Sequence, residues 1–283
     1  MRTVTLKSVL EQAADLSGIS YENQLSPEQR RALIRIANFK LRTLWELFPW
    51  PPLTVIEQRQ YRGSYAVGTT YASGTEVYDA TTDAYYISAQ AANTGNAVTD
   101  TTWWTPATDL DKYIEISASG KTVIGQLFNV TDVSPRLSTV PDRVAFELIG
   151  DRVQFASDAP NTPWLEFQLA PSQLGPKVWA TGETVATGEV RYYETGVYGD
   201  CYIALQSNTA TTPPSDAAKW ALCSIPDFLA EPLAWLISAD QLRADGQEEK
   251  AAQREGMANS AAERAMQRNN IFQHQAARWA VAA

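Results

Sequence analysis

The chain has 283 residues, enough for a sizeable core in one large or two modest domains. Its 45% hydrophobic and 19% charged content excludes a chain that is disordered throughout. A net charge of -9 argues against general affinity for phosphate backbones but leaves room for a small basic patch.

In chain order, Leu6, Val9, Leu10, Ala13 and Leu16 recur at helical spacing, and Gly18 is a natural stop. "SPEQ" marks the next start, with Ser26 as N-cap, Pro27 at N1 and Gln29 at N3. Leu33, Ile34, Ala37, Leu41, Leu44 and Trp45 then make a wide apolar face, ended by Pro51 and Pro52. An αα-hairpin is expected. From Thr54 the period shortens to two. "LTVIEQRQYRGSYAVG", "KTVIGQLFNVTDV", "DRVAFELIGDRVQFA" and "PWLEFQLA" read as strands, with Gly150-Asp151 as a hairpin turn. Helical character returns at Ile225, with Asp227 as cap, Leu229, Leu233, Leu236, Ile237 and Leu242 on the apolar side, and Gly246 as break. A second helix, from about Gln247 to Gln267, has a small-residue face of Ala251, Ala258, Ala261, Ala262 and Ala265. The fold class expected is α+β: helical hairpins at both termini around a β-rich middle.

Motifs for catalysis are sparse. The one histidine, His274, sits in the terminal stretch and argues against a Ser-His-Asp triad or a His-rich metal site. "SGKT", Ser119 to Thr122, has Glu115 where a phosphate loop needs glycine, and a strand-like run follows where that loop needs a helix. None of the 32 acidic residues is singled out as half of a catalytic pair. No catalytic residue, cofactor or metal is expected. Cys201 and Cys223 fit a reducing compartment better than a disulfide framework, although their placement also allows a bridge. Neither an apolar leader at the start nor a run of about 18 apolar residues occurs, so no secretory signal and no membrane span are expected.

Two stretches interrupt the β region. "YYISAQAANTGNAVTDTTWW" and "CYIALQSNTATTPPSDAAKW" each place a Tyr-Ile pair ahead of a tryptophan at the same interval, Tyr86 to Trp104 and Tyr202 to Trp220. They read as two small all-β modules, 71–108 and 186–223, inserted into a discontinuous core of 1–70, 109–185 and 224–283. Units this small hold little core, so large rings must supply it. Tyr86, Trp103, Trp104, Tyr202 and Trp220 are also candidates to touch a glycan or a partner, Trp103 above all. The end of the chain, 269–283, reads as an extended tail whose Ile271, Phe272, Trp279 and Val281 suit docking on a partner.

The second repeat resembles the chitin- and cellulose-binding modules of the family 5/12 type through Gly188, Val190, Tyr202, Ala204, Pro213, Pro214 and Trp220. The first, with Gly74, Val77, Tyr86 and Trp104, lacks the proline. That resemblance implies a β-fold and raises glycan binding as a function. The remainder is similar to head-to-tail connector, or adaptor, proteins of tailed bacteriophages. The similarity rests on "LSPEQRRALIRIANFKLRTLWELFPWP" and "IPDFLAEPLAWLISADQLRADGQEEKAAQREGMANSAAERA", most specifically on the turn "LRADGQEEKA", Leu242 to Ala251, and "VPDRVAFELIGDRVQFASDAPNTPWLEFQLAP" between them is typical of phage virion proteins. It implies a structural, non-enzymatic virion protein at the head-tail junction, assembled in the host cytoplasm. Its partners would be further copies in a twelve-fold ring, the portal, a downstream neck or tail protein, and DNA sliding through the lumen. The alternative is a carbohydrate-binding protein that uses its two modules for host-surface adhesion or polysaccharide binding.

Overall fold

The computed structural model describes residues 1–18, 26–117, 121–137, 141–175, 177–194, 196–209, 213 and 216–281, with side chains described through Asn269. In chain order these form β1 (Thr3–Val4), α1 (Leu6–Ser17), α2 (Pro27–Leu47), β2 (Thr54–Gln58), β3 (Glu76–Asp79), β4 (Ala84–Ser88), β5 (Trp104–Pro106), β6 (Tyr113–Glu115), β7 (Ile124–Thr131), β8 (Phe146–Ile149) and β9 (Arg152–Phe155). They continue with β10 (Trp164–Leu169), β11 (Thr184–Val185), β12 (Val190–Glu194), β13 (Gly199–Ala204), β14 (Asn208–Thr209), β15 (Trp220–Leu222), β16 (Ile225–Pro226), α3 (Asp227–Ala244) and α4 (Glu248–Val281). The class is α+β, with helices at both termini. The chain divides into two compact units: unit 1 is Met1–Pro52 with Pro171–Ala283, and unit 2 is Leu53–Ala170.

Unit 1 is built on its helices. Thr5 caps α1 by accepting the Ser8 N–H, and Gly18, at φ 70, closes it by donating to Ala14 O. At α2 the capping box is complete, because Ser26 and Gln29 satisfy each other's backbone N–H. The apolar face of α2 is buried as its spacing predicts. The expected αα-hairpin is not a self-sufficient pair, since α1 and α2 both pack against α3, as does α4. The reason lies in α3 itself. Leu229, Leu233, Ala234, Ile237 and Ala239 are all fully buried and surround the helix, so α3 is central rather than amphipathic. Asp227, expected as its cap, is instead its first helical residue. Pro226 holds the cap position, and the Asp227 carboxylate sits in the first turn, where the helix dipole favours it.

The α3–α4 turn is a Schellman motif: Gln247 N–H donates to Leu242 O and Gly246 N–H to Arg243 O, with Gly246 at φ 76. Arg243 fastens the turn to both helices through Asp240 (2.8 Å), Glu248 (3.3 Å) and Glu255 (2.9 Å). All five alanines of the small-residue face of α4 are buried. Trp50, wholly buried, donates its indole N–H to Leu44 O near the end of α2 and packs its ring on Phe228 at 5.1 Å.

Unit 2 is β. One sheet has the order β2-β10-β7 and another β6-β9-β8, all pairs antiparallel. Val130, Val153, Leu165 and Phe167, none measurably exposed, anchor their shared core. Gly150, at φ 62, and Asp151 turn β8 into β9 as expected. Ser119 and Gly120 of "SGKT" lie outside the described residues, and the run after Thr122 is strand β7, not a helix.

Two glycines make opposite predictions. A Cβ at Gly199 would lie 2.1 Å from Tyr193 O, and the Gly199 N–H donates to the buried Tyr192 hydroxyl at 2.5 Å. Gly199→Ala should cost about 3 kcal/mol in urea denaturation. A Cβ at Gly256, inside α4, meets nothing within 4 Å. Gly256→Ala should therefore stabilise by about 1 kcal/mol. Equal effects would contradict the backbone approach at Gly199.

Candidate functional site

The two repeats fold as the same module. The first forms the sheet β3-β4-β5, and the second forms β12-β13-β15. Several of their backbone hydrogen bonds correspond. Gly74 N–H donates to Ser88 O (2.7 Å) as Gly188 does to Ala204 O (2.8 Å). Ala89 donates to Trp103 O as Leu205 does to Lys219 O, and Trp104 to Asp100 O as Trp220 does to Asp216 O. Both opening glycines have left-handed backbones, φ 82 and 84. The shared interval between Tyr86–Trp104 and Tyr202–Trp220 hides an offset. Asn93 and Asn208 both pair with the module's first segment, opposite Tyr71 and Val185. Asn93 lies seven residues after Tyr86, whereas Asn208 lies six after Tyr202. A one-residue difference before the asparagine is offset by another after it.

Burial sorts the candidate aromatics. Trp104 is 1% exposed and Trp220 is 3% exposed. The Trp104 ring meets Tyr71 and Tyr65 edge-on at 5.3 and 5.6 Å, and its indole N–H donates to Asn96 O. Trp220 packs with Val185, Ala204, Trp179 and Tyr202. Neither tryptophan has a face left for a glycan, which removes both from the candidate contacts. Tyr86, Trp103 and Tyr202 are half-buried and rest on the module cores. The position equivalent to Trp103 is Lys219, which pairs with Asp216 at 3.4 Å, so the two modules do not present a common aromatic surface there.

The modules begin earlier than 71 and 186. Tyr65 N–H donates to Tyr78 O and Trp179 N–H to Tyr192 O, and both rings join the module cores. The signal was present in the paired stretches "YAVGTTYASG" (65–74) and "WATGETVATG" (179–188). The modules also differ in attachment. Tyr78 and Tyr85 of the first belong to the main core of unit 2, so it is not a detachable insert. The second is braced by Arg191, 3% exposed, between Glu183 (3.1 Å) and Glu189 (3.0 Å). Burial raises the Glu183 carboxyl, but hydrogen bonds from Lys177, the Ala180 N–H and Arg191 outweigh it and hold the group below its ordinary value.

Tyr61, Tyr78 and Tyr85 form a ring cluster in unit 2. Tyr61 donates to Pro160 O, Tyr85 to Asn161 O and Tyr78 to Asp83, each at 2.7 Å. Burial pushes all three phenols up, Tyr78 to about 12. An unfolded tyrosine ionises near 10. The raised values therefore stabilise the fold fully below that pH, and the contribution is lost as pH rises through about 12. Thermal melts followed with tyrosinate absorbance should show unit 2 destabilising across that window. Phenols that ionise freely near 10 with no loss of stability would refute this.

Cys201 and Cys223 are free, buried thiols on neighbouring backbone, with Cys223 N–H donating to Cys201 O. Burial pushes Cys223 to about 11 and Cys201 higher still. In unit 2 a hollow of about 390 Å³ is lined by Arg59, Arg62, Tyr113 and Lys121 among others. Arg59 and Arg62 already pair with Glu57 and Glu76. Among the described residues no group of three or more His, Cys, Asp or Glu side chains could hold a metal ion, and no helix is long and apolar enough to cross a membrane.

The terminal stretch is helical where an extended tail was expected: α4 runs unbroken to Val281. Ile271, Phe272, His274, Trp279 and Val281 all lie on that helical backbone, with side chains outside the described residues. No family model, curated protein or solved structure matches the chain.

Proposed function

We propose that the chain is a structural subunit of a ring at the head-tail junction of a tailed bacteriophage, an adaptor between the portal and the neck or tail. The observation that carries this reading is the length of α4. It has 34 residues against 18 in α3, its hairpin partner. At 1.5 Å per residue the two span about 51 and 27 Å. Arg264 of α4 bridges to Glu231 in the second turn of α3, and the buried alanines end at Ala265. The helix from 270 to 281 therefore continues past the partner that anchors it. It carries Ile271, Phe272 and Trp279 in its sequence, residue types that anchor protein interfaces. In this reading the helix enters the portal, the helical unit builds the ring, and DNA passes through the lumen without sequence recognition. The ring would be twelve-fold where it follows the portal's symmetry.

The two modules serve this reading as decorations or as contacts to a neighbouring neck protein. A glycan-binding role now rests on Tyr86, Trp103 and Tyr202 alone, because both module tryptophans are enclosed. The test is to mix the purified chain with portal and image the product by electron microscopy. Rings coaxial with the portal are expected. A chain that stays monomeric, alone and with portal, overturns the reading.

A further inference from the structure

Two exposed patches of opposite charge stand out, one on each unit. The first is the solvent side of α2. This helix holds five cations, Arg30, Arg31, Arg35, Lys40 and Arg42, against Glu28 and Glu46, in a chain of net charge -9. Arg30 pairs with Glu194, and Lys40 with Asp240 at 3.2 Å. Arg31, Arg35 and Arg42 are exposed and have no ion-pair partner among the described residues. Their spacing sets them on one helix face with Phe39, which is 66% exposed. Lys40 Nζ lies 5.8 Å from the centroid of its ring, and most of Phe39 is open to solvent. Arginine around an exposed aromatic is the composition of a protein interface.

The second patch is the β8–β9 hairpin of unit 2. Leu148 and Ile149 are 60% and 56% exposed, on an edge strand of the β6-β9-β8 sheet. Glu147 and Asp151 flank them, exposed and without an ion-pair partner among the described residues, while the exposed Arg152 opposite Ile149 is turned onto the Tyr113 ring at 4.2 Å. Bare apolar residues on an edge strand invite association unless a partner covers them. Unit 2 as a whole holds 14 acidic and 7 basic residues, and so carries -7 of the chain's -9.

We infer that the β8–β9 hairpin of one copy docks on the α2 face of the next. Glu147 and Asp151 meet Arg35 and Arg42, and Leu148 and Ile149 cover Phe39. Each patch is exposed on the unit that carries it. Two different patches make a heterologous contact, which repeats head to tail and closes into a ring when the rotation allows. The inference rests on the ring reading and supplies its lateral contact. A second copy is favoured over DNA because phosphates would match the arginines but leave Phe39, Leu148 and Ile149 uncovered.

The experiment uses charge reversal in the full-length chain, with assembly measured by analytical ultracentrifugation alone and on portal rings. Arg35→Glu/Arg42→Glu and Glu147→Arg/Asp151→Arg should each weaken assembly at least about tenfold. All four positions are exposed, so circular dichroism and melting should stay as in the wild type. An equimolar mixture of the two variants should assemble again, because alternating copies restore opposite charges at every junction. Variants that assemble like the wild type, or a mixture of folded variants that does not recover, overturn this inference and leave the ring reading standing. A wild type that never assembles overturns both. If Arg35→Glu/Arg42→Glu loses binding to duplex DNA while assembly is unchanged, α2 is a DNA surface and the docking inference is wrong.

Discussion

Deleting Asn269–Ala283 should abolish docking onto the portal while leaving the chain folded. The contacts that hold α4 to α3 lie upstream of the deletion. The buried alanines run from Ala251 to Ala265, and the Arg243 network sits at the turn. The Arg264–Glu231 bridge is also retained. Apart from Asn269, which borders a hollow with Asp227 and Phe228 of α3, the lost segment is the part of the helix beyond α3, with its two aromatics and two aliphatics. Loss of a few anchors of that type typically lowers affinity at least about 100-fold. Co-sedimentation with portal measures the effect, and thermal melting checks that the fold survives. A truncated chain that docks normally would sink the assignment of this helix. One that unfolds would show that the segment is part of the core of unit 1.

Trp104→Ala and Trp220→Ala should each cost about 3–5 kcal/mol, the range for emptying a large ring from a packed site. The two losses should spread differently. Trp220 belongs to a small cluster with Val185 and Ala204, so its removal should open the second module while the helices hold. The first module shares Tyr78 and Tyr85 with the main core of unit 2, so Trp104→Ala should weaken that unit too. Hydrogen exchange reads this directly. Protection at Gly188 should fall alone in one variant. In the other, loss at Gly74 should be accompanied by loss in β7 and β10. Identical local losses would show the first module to be independent after all.

The same burial changes how glycan binding must be tested. Loss of chitin or cellulose retention in the tryptophan double variant would report unfolding rather than a lost contact. Substitutions of Tyr86, Trp103 and Tyr202, which are half-buried, separate the two effects. No retention by the wild type would end the carbohydrate reading.

Much of unit 1 was legible because its signals are local. Capping boxes, helical periodicity and left-handed glycines act within a few residues, so Ser26, Gln29, Gly18 and Gly246 could be placed from the sequence alone. The Gly150 turn was legible for the same reason. The end of α4 was not, because no proline or glycine follows Gln267 to stop it, and apolar residues at a terminus read equally well as loose chain.

The sequence by itself determined the buried face of α2 and the small-residue face of α4, and that two copies of one small module are present. Only the tertiary structure decided that α3 is the helix on which the others pack, since apolar residues spread around a helix give it no preferred face until neighbours are in place. It alone decided that Trp104 and Trp220 are enclosed. The rings and side chains that cover them, Tyr65 and Tyr71 in one module and Trp179 and Val185 in the other, lie more than thirty residues away along the chain. It also separated the bare arginines of α2 from the paired ones, because an ion pair depends on where a distant carboxylate arrives and not on the charge pattern of the helix.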